Sequence, residues 1–130
     1  MAVRTKAQKI KFSKLRSSLL RAVEEIRQLI EPFLKNSPVM AGSVYEIKRK
    51  CGKQNCKCAK GELHGQIVLS TKKEGKTKLH PISKSQIIEA RIKTERRRKL
   101  RCARARLSTL HREILEIIDE MEAMRRDEIN

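Results

Sequence analysis

Cys51, Cys56, Cys58 and His64 fall within fourteen residues, in the spacing Cys-x4-Cys-x-Cys-x5-His. Three thiolates and one imidazole make an accepted tetrahedral set for structural zinc. Lys50, Lys53, Lys57 and Lys60 surround the cysteines. Nearby cations lower a thiol pKa and so favour the thiolate that binds metal. Gly52, Gly61 and Gly65 let a short loop fold back on itself. Four protein ligands would leave no open coordination position, so this zinc is expected to be structural and not catalytic. His80 is a reserve for the fourth ligand. Two other readings stay open, a polar loop of reduced thiols and a redox switch that closes a disulfide within the loop.

A second constellation is basic. Arg91, Lys93, Arg96, Arg97, Arg98, Lys99, Arg101, Arg104 and Arg106 make nine of the sixteen residues from Arg91 to Arg106 cationic. A charge run is usually a solvated helix face. Unbalanced runs of this density repel themselves, however, and a phosphate backbone relieves that repulsion. Further bases stand on the expected strands: Lys48, Arg49, Lys72, Lys73, Lys76 and Lys78. Helix and strands together are therefore expected to present one nucleic-acid-binding surface. With one Tyr, two Phe and no Trp, stacking on single-stranded bases is disfavoured. Duplex is the expected form, with DNA ahead of structured RNA.

The elements that must position these groups are legible from periodicity. Residues 1–11 read as a basic arm. Residues 12–35 read as a helix, because Phe12, Leu15, Leu19, Ala22, Ile26, Leu29 and Phe33 recur at steps of three and four. Leu20, Val23, Ile30 and Leu34 widen that stripe, and Pro32 should end it. Residues 43–83 read as a three-stranded sheet whose first connection carries the cysteine loop, with a hairpin around Lys73-Glu74-Gly75-Lys76. Residues 84–126 read as one long helix, opened by the capping box Ser83-x-x-Gln86. Ile87, Ile88 and Ile92 are expected to pack on the sheet. Beyond them Leu100, Ala103, Leu107, Leu110, Ile114, Ile117, Met121 and Met124 form a second seam.

The charge of +17 is unevenly spread. Residues 1–21 hold seven bases and no acid, whereas residues 107–130 hold three bases against seven acids. An antiparallel pairing of the two helices would set the basic start of the first against the acidic end of the last. The expected fold class is α+β, mostly α. Two heptad-patterned helices form an antiparallel coiled-coil hairpin, with the small antiparallel sheet and the Cys/His knuckle inserted between them. So lean an aliphatic seam favours joining two hairpins as a four-helix homodimer. Cys102 falls off the seam and His111 at its edge.

The run Cys51-Gly52-Lys53-x-x-Cys56-x-Cys58, followed by Gly61-x-x-His64-Gly65, resembles a family of small uncharacterised prokaryotic proteins. They tend to be encoded beside transposases and site-specific recombinases. The resemblance spans roughly Ser43 to Arg98. It departs after His64-Gly65, where the family often carries Pro and a run of tyrosines and this chain has Gln66-Ile67-Val68-Leu69. The context implies an accessory protein of a mobile element. A three-stranded sheet followed by a helix is also similar to the arm-binding domains of tyrosine recombinases, which lay the sheet in the major groove.

Catalysis is not expected. The chain has no Gly-rich phosphate loop, and its one tyrosine, Tyr45, lacks an Arg/His/Arg constellation around it. No run approaches the ~18 apolar residues of a membrane span, and no apolar stretch follows the N-terminal lysines. The sequence therefore points to a cytoplasmic, nucleoid-associated protein. Its expected partners are duplex DNA, a transposase or tyrosine recombinase, and a second copy of itself. A coiled-coil adaptor without a nucleic-acid role, and a structured-RNA or ribosome binder, are the competing readings.

Overall fold

A computed structural model describes residues 3–49 and 64–127. In chain order the elements are α1 (Lys6–Ile30), a single 3-10 turn (Glu31–Leu34), β1 (Ser43–Arg49), β2 (His64–Lys73), β3 (Lys76–Pro81) and α2 (Lys84–Arg125). The protein is α+β and mostly helical, as its periodicity implies. It divides into two compact units. One contains Met1–Asn36 and Leu100–Asn130, the other Ser37–Lys99. No helix among the described residues is long and apolar enough to cross a membrane.

In the first unit, α1 begins earlier than the apolar pattern suggests. Thr5 is its N-cap. The Thr5 hydroxyl accepts from the Gln8 amide at 3.2 Å and the Gln8 side chain accepts from the Thr5 amide at 2.8 Å. This capping box satisfies two backbone donors that would otherwise be orphaned. It draws Lys6 to Lys11, part of the expected arm, into the helix. Arg4 just ahead of it donates from Nε and Nη2 to the Met124 carbonyl, at 3.3 and 3.1 Å. That carbonyl lies in the last turn of α2, where C=O groups lack intrahelical partners and a cation is favoured. Pro32 ends α1, and the chain tightens into the 3-10 turn.

Farther along, Arg106 grips Glu25 with two bonds of 2.8 and 2.9 Å. Residue 4 meets 124 and residue 25 meets 106, so α1 and this part of α2 run in opposite directions. Arg106 holds the Glu25 carboxyl below its ordinary pKa, chiefly through the hydrogen bond. The pair is therefore stabilising above the usual carboxylate range and is lost as pH falls through the lowered value. It is exposed and screened, which keeps its contribution small.

Burial follows the seams. Leu110 is 1% exposed and Ala22 7%. Every other residue of the α2 seam, and of the α1 seam from Phe12 to Leu29, is half-buried. Phe33, in the 3-10 turn, is exposed at 42%. The residues expected to widen the first stripe are not covered: Leu20, Val23, Ile30 and Leu34 are 61%, 53%, 39% and 73% exposed.

In the second unit, β1, β2 and β3 form an antiparallel sheet in that order. Two residues, Glu74 and Gly75, connect β2 to β3 with φ of +54° and +78°. Both central residues at positive φ define the type I′ turn that matches strand twist. Pro81 closes β3 at the sheet edge, where no ladder donor is needed. Val68, in the central strand, is fully buried. At the start of α2 the Gln86 side chain accepts from the Ser83 amide at 3.1 Å, but the Ser83 hydroxyl pairs with Ser85 instead of completing the box. Ala90 is buried and Ile87 half-buried, whereas Ile88 and Ile92 are 73% and 48% exposed. The expectation that all three isoleucines pack on the sheet is corrected here. Residues 87, 90, 94 and 97 share one helix face, and Ile88 and Ile92 lie on another.

The connector is tied to α2 by two bonds. The Met40 amide donates to the Lys93 carbonyl and Arg96 donates to the Pro38 carbonyl, each at 3.2 Å. Gly42 then turns into β1 with φ +123°, and a Cβ there would meet the Ser70 carbonyl at 2.4 Å. Nothing lies within 4 Å of a Cβ on Gly75. Gly75→Ala should therefore cost about 1 kcal/mol, the conformational penalty alone. Gly42→Ala should cost at least about 2 kcal/mol, because crowding adds to the dihedral strain. Urea unfolding of the two variants checks this, and equal losses would show that the Gly42 contact relaxes at no cost.

Candidate nucleic-acid interface

The sheet register sorts the strand bases. Side chains alternate along a strand, and directly paired residues share a face. Thr71 pairs with Lys78, Lys73 with Lys76, and Lys48 with Gly65. Lys48, Lys73, Lys76 and Lys78 therefore stand on one face, and all four are exposed. Lys72 lies on the other face, with Val68. Lys73, Lys76 and Lys78 cluster at the hairpin, and Lys48 stands six register positions away. At ~3.3 Å per residue that separation is about 20 Å, or about six base-pair steps of duplex. Half-buried Val44, Ile67 and Leu69 fill the space between.

His80 shares the lysine face. Its Nε2 is 3.0 Å from the Thr71 hydroxyl. Sequence reading placed it in reserve for a metal and overlooked Thr71. The signal was available, because the Lys73–Lys76 turn puts residues 71 and 80 on the same face in adjacent strands.

Along α2 the bases divide into engaged and open groups. Lys93 sits 2.7 Å from Glu89, and Arg98 forks onto Glu95. Each base lowers the pKa of its carboxyl partner, with the hydrogen bond as the main cause. Arg96 is spent on the Pro38 carbonyl. Arg91 and Arg97 have no carboxylate within 4 Å among the described residues. Arg91 and Lys99 are exposed and Arg97 is half-buried. In the other unit Arg101 and Arg104 are exposed and likewise without an ion pair among the described residues. Arg106, by contrast, serves Glu25 and Glu113.

The remaining site residues lie mostly outside the described part of the chain. Cys51, Cys56 and Cys58 do so, with Lys50, Lys53, Lys57 and Lys60. Arg49 is the last residue of β1 and His64 the first of β2, and the two are register partners. The fourteen-residue connection thus leaves and re-enters the sheet at adjacent positions. That closure puts His64, the last expected ligand, at the base of the loop. Among the described residues no group of three or more His, Cys, Asp or Glu is placed to hold a metal ion. Cys102 is a free, exposed thiol.

No curated protein and no solved structure matches the chain. One family does, over residues 19–91, which takes in the second half of α1, the whole sheet, the cysteine loop and the first turns of α2. The chain belongs to the family of the domain of unknown function DUF6788.

Proposed function

We propose that this protein is a non-catalytic DNA-binding accessory factor of a transposition or site-specific recombination system. The lysine face of the sheet carries the reading. Lys48, Lys73, Lys76 and Lys78 share one side of a small antiparallel sheet, where Glu46 is the one acid on the strands and Glu74 stands in the turn. The two-stranded ribbon of β2 and β3, which carries Lys73, Lys76 and Lys78, fits the major groove, where lysines can reach phosphates and guanine edges. Arg91, Arg97 and Lys99 on α2 would add phosphate contacts. The two helices form an antiparallel coiled coil whose acidic end contacts a recombinase or a second copy. The mobile-element context rests on the resemblance of the cysteine signature. A nucleoid location follows from the DNA role.

Zinc belongs to this reading as a structural ion held by Cys51, Cys56, Cys58 and His64. The donor set suits it, and the Arg49–His64 pairing supports it by bringing the two ends of the loop together. The ion would restrain the loop and so hold Lys50, Lys53, Lys57 and Lys60 beside Lys48.

Fluorescence anisotropy on labelled duplexes tests DNA binding. With about six phosphate contacts, affinity for duplex DNA should fall about 10³-fold between 50 and 200 mM salt. Lys76→Glu with Lys78→Glu should weaken it further at fixed salt. Salt-insensitive retention would sink the reading, and tighter binding to duplex RNA than to DNA would redirect it to structured RNA.

Elemental analysis of protein purified without chelator should find about one zinc per chain. Cys56→Ser should lose the metal while far-UV circular dichroism keeps the helical signal. Four titratable thiols and no metal would remove zinc from the account.

A further inference from the structure

The seams account for one face of each helix and leave a second apolar strip uncovered. On α1 it consists of Leu20, Val23 and Ile30, 39–61% exposed. On α2 it consists of Leu115 and Ile118, 46% and 44% exposed. At 3.6 residues per turn, each set lies about 100° around its helix from the seam, in the same rotational sense. Two antiparallel helices that face each other bring flanks of the same sense to the same side. The Arg4–Met124 and Glu25–Arg106 contacts fix the level at which the helices meet. They put Ile118 and Leu115 opposite residues near 12 and 15. Along the axis the strip therefore reads Ile118, Leu115, Leu20, Val23, Ile30, with Arg16 and Arg27 between them at the same rotational position and no carboxylate.

We infer that this strip is covered by a second copy of the chain, packed so that α1 of each copy lies along α2 of the other. The inference rests on the helix-pair part of the proposed function and deepens it by naming the face and the arrangement. From Ile118 to Ile30 the strip runs about 27 Å, and two helices give it a width near 20 Å, or on the order of 540 Å² per copy, close to the about 600 Å² per partner at which specific interfaces begin. Charge chooses the arrangement. Residues 1–21 carry seven bases and no acid, and residues 107–130 carry seven acids against three bases. Pairing α1 with the partner's α2 in the antiparallel sense sets basic Lys9 beside acidic Glu122 across the interface. Turning the second copy end over end would instead lay α1 on α1, with Lys9, Arg16 and Arg27 facing their own kind. The favoured arrangement is a four-helix bundle in which every neighbouring pair is antiparallel, and each copy repeats between chains the charge match it makes within itself.

Sedimentation equilibrium of the full chain at micromolar concentration, without DNA, tests the inference. The wild type should run at twice the chain mass. Leu20→Glu and Leu115→Glu should each raise the dimer dissociation constant at least about 100-fold, since each buries a charge in an apolar contact. Both positions are exposed in the single chain, so the helical signal should persist. Ile88→Glu, exposed but in the other unit, should leave the dimer unchanged. Lys9→Glu should weaken association a few-fold, and adding Glu122→Lys should restore it. A monomeric wild type overturns the inference, as does a dimer that survives Leu20→Glu. Failure of the Lys9/Glu122 exchange overturns the arrangement. Anisotropy on DNA is read separately, so a failed dimer leaves the DNA reading to its own test.

Discussion

Apolar material is the scarce resource of this protein, and its shortage shapes both units. Val68 and Leu110 are the large side chains fully removed from water among the described residues, and Ala22 and Ala90 are the small ones. With three aromatic rings in 130 residues, no thick core can be built, because rings ordinarily supply much of the buried area. The helices bury one stripe each, and most seam residues are only half covered. The sheet buries one central valine. At about 25 cal/mol per Å² of apolar area removed from water, such layers leave little margin over the entropy of ordering the chain. The proposed zinc and the proposed second copy answer the same deficit by the two routes small scaffolds use, a metal staple and oligomerisation.

The polar groups are used with matching economy. Helix ends are closed by side chains: Thr5 and Gln8 at the start of α1, Gln86 at the start of α2, Arg4 at its last turn. Carboxylates on α2 are few before residue 107, and each serves a named base, Glu89 for Lys93 and Glu95 for Arg98. Arg106 reaches across to Glu25. What remains among the described residues is cationic charge with no carboxylate partner, on the sheet face and along α2. A polyanion is the natural complement to charge left over in this way.

Much of the fold was legible because helix and strand periods differ. Eight α2 seam positions and six of seven on α1 emerged buried or half-buried, since steps of three and four can only line one side of a helix. The hairpin was legible in Glu74-Gly75. The start of α1 was not, because a capping box and helix-forming residues need no apolar rhythm. Ile88 and Ile92 misled because apolar character alone does not choose a face. For the candidate site, the cation count was plain from the chain, but its division between faces was not. Lys72 and Lys73 are neighbours in sequence and stand on opposite sides of the sheet.

By itself the sequence determined the element types, the inward seams, the surplus of positive charge and the close spacing of Cys51, Cys56, Cys58 and His64. These follow from residue chemistry and local spacing. Only the tertiary structure decided which bases are engaged by carboxylates, which lysines share a face and which apolar residues stay uncovered. It also decided that Arg49 and His64 meet at the base of the loop. Those outcomes depend on strand register and helix direction, and both are set by contacts between residues far apart in the chain.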